Sequence, residues 1–214
     1  VAFRSSIKML LVLTFPIIAG ISVLSGPIIH LLYGADYQPV AKILPILITS
    51  TGLAHIAIAC TALLYSQKKQ RLVLILMMIS AVVNIGLDLV LIPRFGFVGA
   101  SIANIIAQSL AFLLAARAVS AIVPGSFPRG EVARLTAAAG LMGGLVYLLQ
   151  SVTSPIPGLF LGILVGVITY PILLIRFGGL NTQDRSILQI IHSRLPKFLQ
   201  TMVLFISQKL TPAA

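Results

Sequence analysis

The sequence predicts an all-α, polytopic membrane protein of six transmembrane helices with an amphipathic C-terminal tail. Three observations predict it. Residues 9–35, 43–67, 95–116 and 135–175 carry no Asp, Glu, Lys or Arg. A helix rises about 1.5 Å per residue, so roughly 20 apolar residues cross a hydrocarbon core of about 30 Å. Composition agrees: 58% of the chain is hydrophobic and only 9% charged, against about a quarter charged in soluble domains. The basic residues, finally, lie between the apolar runs and not within them.

The first span, residues 9–32, follows Arg4 and Lys8 and contains Pro16 and Pro27, whose missing N–H groups predict bends. The second, 43–66, carries Thr51 and His55 near its middle. The third, 72–92, holds a single charge, Asp88. Pro93 cannot continue that helix, and Phe95-Gly96 permits a sharp turn. The fourth span, 97–116, then opens on Gly99, Ala100 and Ser101, small side chains that allow close backbone approach. A tight hairpin is expected. The run 135–175 is twice one span and breaks at Ser151-Val152-Thr153-Ser154-Pro155-Ile156-Pro157-Gly158, a turn-forming cluster. It divides into a fifth span, 135–152, and a sixth, 156–175, which contains Pro171. Gly140 with Gly144 on the fifth, and Gly158, Gly162 and Gly166 on the sixth, repeat every four residues and predict helix-packing faces.

Residues 1–180 therefore form one six-helix transmembrane unit, and 181–214 an amphipathic tail on the cytoplasmic side. In the tail, Ile187, Leu188, Ile190, Ile191 and Leu195 share one side of a helix that Pro196 interrupts. Phe198, Leu199, Met202, Val203, Phe205 and Ile206 build a second apolar face too short to span. The tail is expected on the inner membrane surface, where its basic residues suit anionic lipid, or packed beneath the bundle. The chain begins with Val and not Met, which predicts a piece of something longer.

Counting charges gives the orientation. Thirteen of the fifteen Lys and Arg residues fall before the first span, in the second and fourth connections, or after the sixth span. Lys42 and Arg94 are the two on the other side. Basic loops stay in the cytoplasm, so both termini are expected there, in the cytoplasmic (inner) membrane.

The net charge of +11 does not point to nucleic acid, because the cations are distributed by topology and do not cluster on a soluble face. Cys60, the single cysteine, lies inside the second span, which rules out a disulfide within the chain. There is no GxxxxGK[ST] loop. Transport would draw on an ion gradient, the substrate's own gradient or a partner. The three histidines are dispersed, without metal-ligand spacing. Neither a metal nor a cofactor is expected.

Two stretches resemble a known family. One is Tyr33-Gly34-Ala35-Asp36-Tyr37-Gln38-Pro39-Val40 after the first span. The other runs Asn84-Ile85-Gly86-Leu87-Asp88-Leu89-Val90-Leu91-Ile92-Pro93-Arg94-Phe95-Gly96-Phe97-Val98-Gly99-Ala100-Ser101-Ile102-Ala103. Together they are similar to the C-terminal half of polysaccharide biosynthesis flippases, in the multidrug/oligosaccharidyl-lipid/polysaccharide exporter superfamily. The likeness covers residues 10–120 best. It implies that residues 1–180 are one lobe of a two-lobed exporter whose N-terminal lobe is absent from this chain. It further implies a protein that moves an undecaprenyl-diphosphate-linked oligosaccharide between leaflets by alternating access. Its partners would be that lipid-linked substrate and membrane lipid. No covalent step is needed, so no enzyme is implied. The alternatives are a drug/cation antiporter of the same superfamily and a non-transporting membrane scaffold. A membrane glycosyltransferase would need carboxylates on an outer loop, where Asp36 stands alone.

Polar residues inside the spans are the transport-pathway candidates. Ser80, Asn84 and Asp88 recur every four residues and share a helix face, as do Asn104 with Gln108 and Thr51 with His55. Three such stripes on consecutive helices predict a hydrated cavity between them. The plainer reading is interhelical hydrogen bonding, at about 0.6 kcal/mol per bond. A carboxylate at mid-span costs about 2.5–3.5 kcal/mol, so Asp88 is either coupled to proton or cation movement or reaches the outer interface near Arg94. His55, the deepest ionisable group, is either a titrating group or a neutral ring bonded between helices.

Overall fold

A computed structural model describes residues 2–125, 127 and 129–178. Its elements are α1 (Ala2–Tyr33), a 3-10 turn (Ala35–Tyr37), α2 (Gln38–Ala41), α3 (Leu44–Ser66), α4 (Gln70–Ile122), α5 (Arg129–Val152) and α6 (Pro155–Arg176). There is no strand among the described residues. Five of these helices are long and apolar enough to cross a membrane. The expected tail, 181–214, lies outside the described residues.

At 53 residues, α4 is about twice the length of one span, and it folds back on itself. Gly96 adopts φ 55 and ψ −133, non-helical values in a region glycine occupies without the clash a Cβ brings. Three residues on, Gly99 lies against the Leu91 carbonyl so closely that a Cβ there would overlap it. Across the hairpin, the Ser80 hydroxyl donates to the Ala107 carbonyl at 3.0 Å. The turn comes where the sequence predicts it to within a few residues, but the break is at Gly96 and not at Pro93, which stays inside the first arm with helical dihedrals. Six membrane-crossing segments result.

α1 is the central element. It packs on α3, α5 and α6, while α3 carries the α4 hairpin and α5 pairs with α6. The main core sits toward one end of the bundle. Ile7 and Leu11 of α1 meet Cys60 and Leu64 of α3, Val73 and Val119 of α4, Leu135 and Met142 of α5, and Leu174 of α6. A smaller cluster of Leu24, Val146 and Leu159 closes α1, α5 and α6 farther along. Outward-facing Leu89 and Val152 are 74% and 79% exposed, which is stable when the solvent is lipid.

In lipid every backbone polar group needs a partner within the protein. Pro16 has no N–H, so the Val12 carbonyl one turn earlier loses its helical donor. The Tyr170 hydroxyl of α6 fills that role at 2.8 Å. Along α3, the hydroxyls of Thr49, Ser50, Thr51, Thr61 and Ser66 bond back to carbonyls three or four residues earlier, which lets polar side chains sit in an apolar helix. At the basic end, Arg4 forks onto Glu131 at 2.9 and 3.1 Å, and Arg134 donates to the Gly178 carbonyl at 3.0 Å. These contacts bring the ends of α1, α5 and α6 together, where the charge count places one face of the membrane.

The glycine faces differ from expectation in part. A Cβ on Gly162 would stand 3.0 Å from Leu24 and 3.1 Å from Val146, and one on Gly166 3.6 Å from the Met142 sulfur. Gly158 sits against Thr153 and Gln150 of its own hairpin. Gly140 and Gly144 meet nothing within 4 Å. The glycine α5 turns toward α1 is Gly143, 3.5 Å from the Ala19 Cβ. Four-residue spacing identifies a ridge, but the rotation of the helix decides which way it faces.

Candidate functional site

The hairpin register determines what the polar stripes can meet. With Ser80 bonded to residue 107, the antiparallel arms bring Asn84 toward the level of Asn104. Asn84, Asn104, Gln108 and Ser80 line one open groove of about 490 Å³ between the two arms and α3. Ala54, Ala57, Ala81, Ala107 and Ala111 form much of the remaining wall, and their small side chains leave the space unfilled.

Asn104 is anchored. Its Nδ2 donates to the Ser50 hydroxyl at 3.1 Å, and Ser50 in turn donates to the Leu47 carbonyl at 2.8 Å. Ser50 is 1% exposed, so this chain of bonds is shielded from solvent and holds the carboxamide in one orientation. The Asn84 and Gln108 carboxamides are partly exposed and make no hydrogen bond among the described residues. Within lipid such groups call for a partner, from water, a ligand or a further segment of the protein. Among the described residues no charged side chain lines the groove. The groove therefore offers uncharged donors and acceptors, a set that suits hydroxyl groups better than a phosphate.

His55 and Asp88 stand outside this lining. His55 is exposed on α3, beside Thr51, whose hydroxyl is engaged by the Leu47 carbonyl. Asp88 is half-buried one turn beyond Asn84 and forms no ion pair with Arg94 or any other described residue. A second groove of about 430 Å³, almost wholly apolar, runs between α1, α5 and α6 past Gly162 and Gly166. Among the described residues no group of three or more His, Cys, Asp or Glu could hold a metal ion. Ser50, Tyr170 and Gln150 were not legible as site or linking residues from their spacing. Ser50 does stand one turn before Ala54 on the groove-facing side of α3, and Val12 four residues before Pro16 signals a carbonyl in need of a donor.

The comparisons with known proteins agree with this architecture. The sequence profile described as Lipid II flippase MurJ matches residues 2–168. A curated relative from Haloferax volcanii, described as a probable low-salt glycan biosynthesis flippase, Agl15, is 28% identical over 169 residues. That alignment covers 78% of this chain and 36% of the relative. A solved structure described as lipid II flippase MurJ in an inward closed conformation superposes with a TM-score of 0.74 at 22% identity. It covers 82% of this chain and 38% of that one, a likeness of fold. The chain thus spans little more than a third of the length of these relatives. The profile match runs from the start of α1 into α6, and on that ground the chain belongs to the MurJ lipid II flippase family.

Proposed function

We propose that this chain is the C-terminal six-helix lobe of a flippase that carries an undecaprenyl-diphosphate-linked oligosaccharide across the cytoplasmic membrane for polysaccharide biosynthesis. Membership of the family supports the reaction class, and the curated relative is itself described as a glycan biosynthesis flippase. The observation that carries the reading is the groove. Asn84 and Gln108 present carboxamides without partners among the described residues, beside the anchored Asn104, between segments that cross lipid. Such groups bind sugar hydroxyls by donating and accepting in turn. With no cation in the lining, the diphosphate would be held elsewhere, by the remaining lobe. The lipid tail would stay in the bilayer while the sugar crosses. No bond is made or broken, so the protein is a transporter and not an enzyme. His55 and Asp88 would act outside the groove, as groups facing the second lobe or coupling transport to an ion. Both termini would lie in the cytoplasm.

The test is flipping by the full-length protein in proteoliposomes, with a fluorescent polyprenyl-diphosphate-oligosaccharide and an impermeant quencher. Asn84→Leu with Gln108→Leu should slow flipping by about tenfold or more, the worth of two lost hydrogen bonds, with insertion unchanged. Flipping at the wild-type rate in that double variant would overturn the assignment of the groove.

A further inference from the structure

A second polar recess lies at the end of the bundle opposite the main core. The last turns of α1, the first residue of α2 and the α5–α6 turn border an open recess of about 340 Å³ there, and His30, Gln38, Gln150 and Thr153 contribute its polar lining. The Nε2 of Gln150 is buried and has no acceptor among the described residues. Buried amide donors are nearly always paired, and among the described residues the Gln150 amide, which borders this recess, is the buried side-chain donor that lacks a partner within the protein.

The room for the Gln150 amide is left by two glycines of α6. A Cβ on Gly158 would stand 3.0 and 3.1 Å from its Oε1 and Nε2, and a Cβ on Gly162 3.4 Å from Nε2. Any larger residue at 158 would displace the amide. Gln38 stands on the other side, its Nε2 making a long contact of 3.4 Å to the Gly26 carbonyl. Thr153 donates to the Leu149 carbonyl at 2.8 Å, which leaves the lone pairs of its oxygen available. Among the described residues the lining contains two carboxamides, a hydroxyl and an imidazole, but no Lys, Arg, Asp or Glu. A phosphate would call for a cation. Adjacent hydroxyls of a sugar ring call for groups that both donate and accept, which is what two amides supply.

We propose that this recess is a sugar-binding subsite at the outer mouth of the protein, with Gln150 as its buried donor. It receives hydroxyls of the glycan after the head group has left the groove between α3 and α4. The proposal rests on the flippase reading. The two polar sites stand on different helices, one at mid-span and one at the mouth, so a glycan meets hydrogen-bonding partners at both stages of its passage.

The experiment uses the full-length protein with every native cysteine, Cys60 included, replaced by Ala, and a reporter, Ser154→Cys, at the exposed rim. Ser154 makes no capping hydrogen bond that the change would remove. Reaction of the reporter with a hydrophilic maleimide is timed with polyprenyl-diphosphate-N-acetylglucosamine, or with polyprenyl diphosphate alone, in the liposomes. The sugar-bearing lipid should slow labelling by about fivefold, the worth of one or two hydrogen bonds, and the sugar-free lipid should not. Gln150→Met, similar in length but without the amide, should abolish that protection. Gln150→Asn, which keeps the amide, should retain part of it and show that the fold is intact. Flipping is measured in the same vesicles. Flipping without sugar-dependent protection, or protection that survives Gln150→Met, overturns the subsite and leaves the flippase standing. Equal protection by both lipids assigns the recess to the diphosphate and overturns it as a sugar site. No flipping of the sugar-bearing lipid by the wild-type protein removes the flippase reading and the subsite with it.

Discussion

The Tyr170 hydroxyl on α6 donates at 2.8 Å to the Val12 carbonyl on α1, the carbonyl that Pro16 leaves without a helical donor. A defect written into one helix is thus repaired by another, 158 residues away in sequence. Water cannot take over this role in a lipid-embedded core, so the bond ties α1 to α6 more firmly than apolar contact alone.

Removing the hydroxyl tests that tie. Tyr170→Phe should cost about 1–3 kcal/mol, the penalty of a buried unsatisfied carbonyl. Pro16→Ala restores an N–H one turn after Val12, so in that background Tyr170→Phe should cost much less. The measurement is a double-mutant cycle on denaturant unfolding in mixed micelles. Strict additivity of the two changes would show that Pro16 and Tyr170 are not coupled.

The glycines should rank by what a methyl group would meet. At Gly99 it meets the backbone of Leu91 and Ile92, which cannot move without opening the hairpin. At Gly52 it meets the Ile18 Cδ1 at 2.6 Å and the Thr14 Cγ2 at 2.9 Å, the ends of side chains that can turn. At Gly86 it meets nothing within 4 Å. Gly99→Ala should therefore cost the upper part of about 1–3 kcal/mol and Gly52→Ala less. Gly86→Ala should be neutral or gain up to about 1 kcal/mol from helix propensity. Thermal unfolding of the three variants checks the order, and a tolerated Gly99→Ala would contradict the close approach of the two arms.

The sequence makes the hairpin legible because its turn is written in backbone chemistry: Gly96 takes the positive φ that ends the first arm, just past Pro93, and Gly99 permits the close return. Once the arms are antiparallel and α3 lies against them, Asn84, Asn104 and Gln108 converge on one groove. Periodicity shows which residues share a face, but not where that face points. His55 shares a stripe with Thr51 yet stands outside the groove lining, and Gly140 with Gly144 forms a ridge with no neighbour, while Gly143 meets α1. Asp88 lies on the stripe of Ser80 and Asn84, but the groove lining stops before its level. Contacts that join distant elements through one atom leave no periodic trace. Tyr170 on Val12 is of that kind.

Orientation and groove can be read together by the water accessibility of single cysteines, placed in a Cys60→Ala background. A thiol reacts with a hydrophilic maleimide or thiosulfonate only as thiolate, which forms in water and not in lipid. Thirteen of the fifteen basic residues fall on one side by sequence, and Arg4 and Arg134 meet neighbouring elements at that same end. In intact cells, impermeant reagent should therefore label Gln38→Cys and Arg94→Cys, and should leave Gln70→Cys and Gly130→Cys unmodified until the membrane is opened. Outside labelling at position 70 would invert the topology. Within the bilayer, Asn84→Cys and Gln108→Cys should react despite their depth, because they line the groove. Leu89→Cys is the control: its side chain is 74% exposed, but outside the groove lining and toward lipid, so it should stay inert. Reaction at 84 and 108 no faster than at 89 would mean that lipid fills the groove, leaving Asn84 and Gln108 no water to bond. A faster rate at 84 and 108, slowed by added lipid-linked oligosaccharide, is the result expected of a sugar pathway.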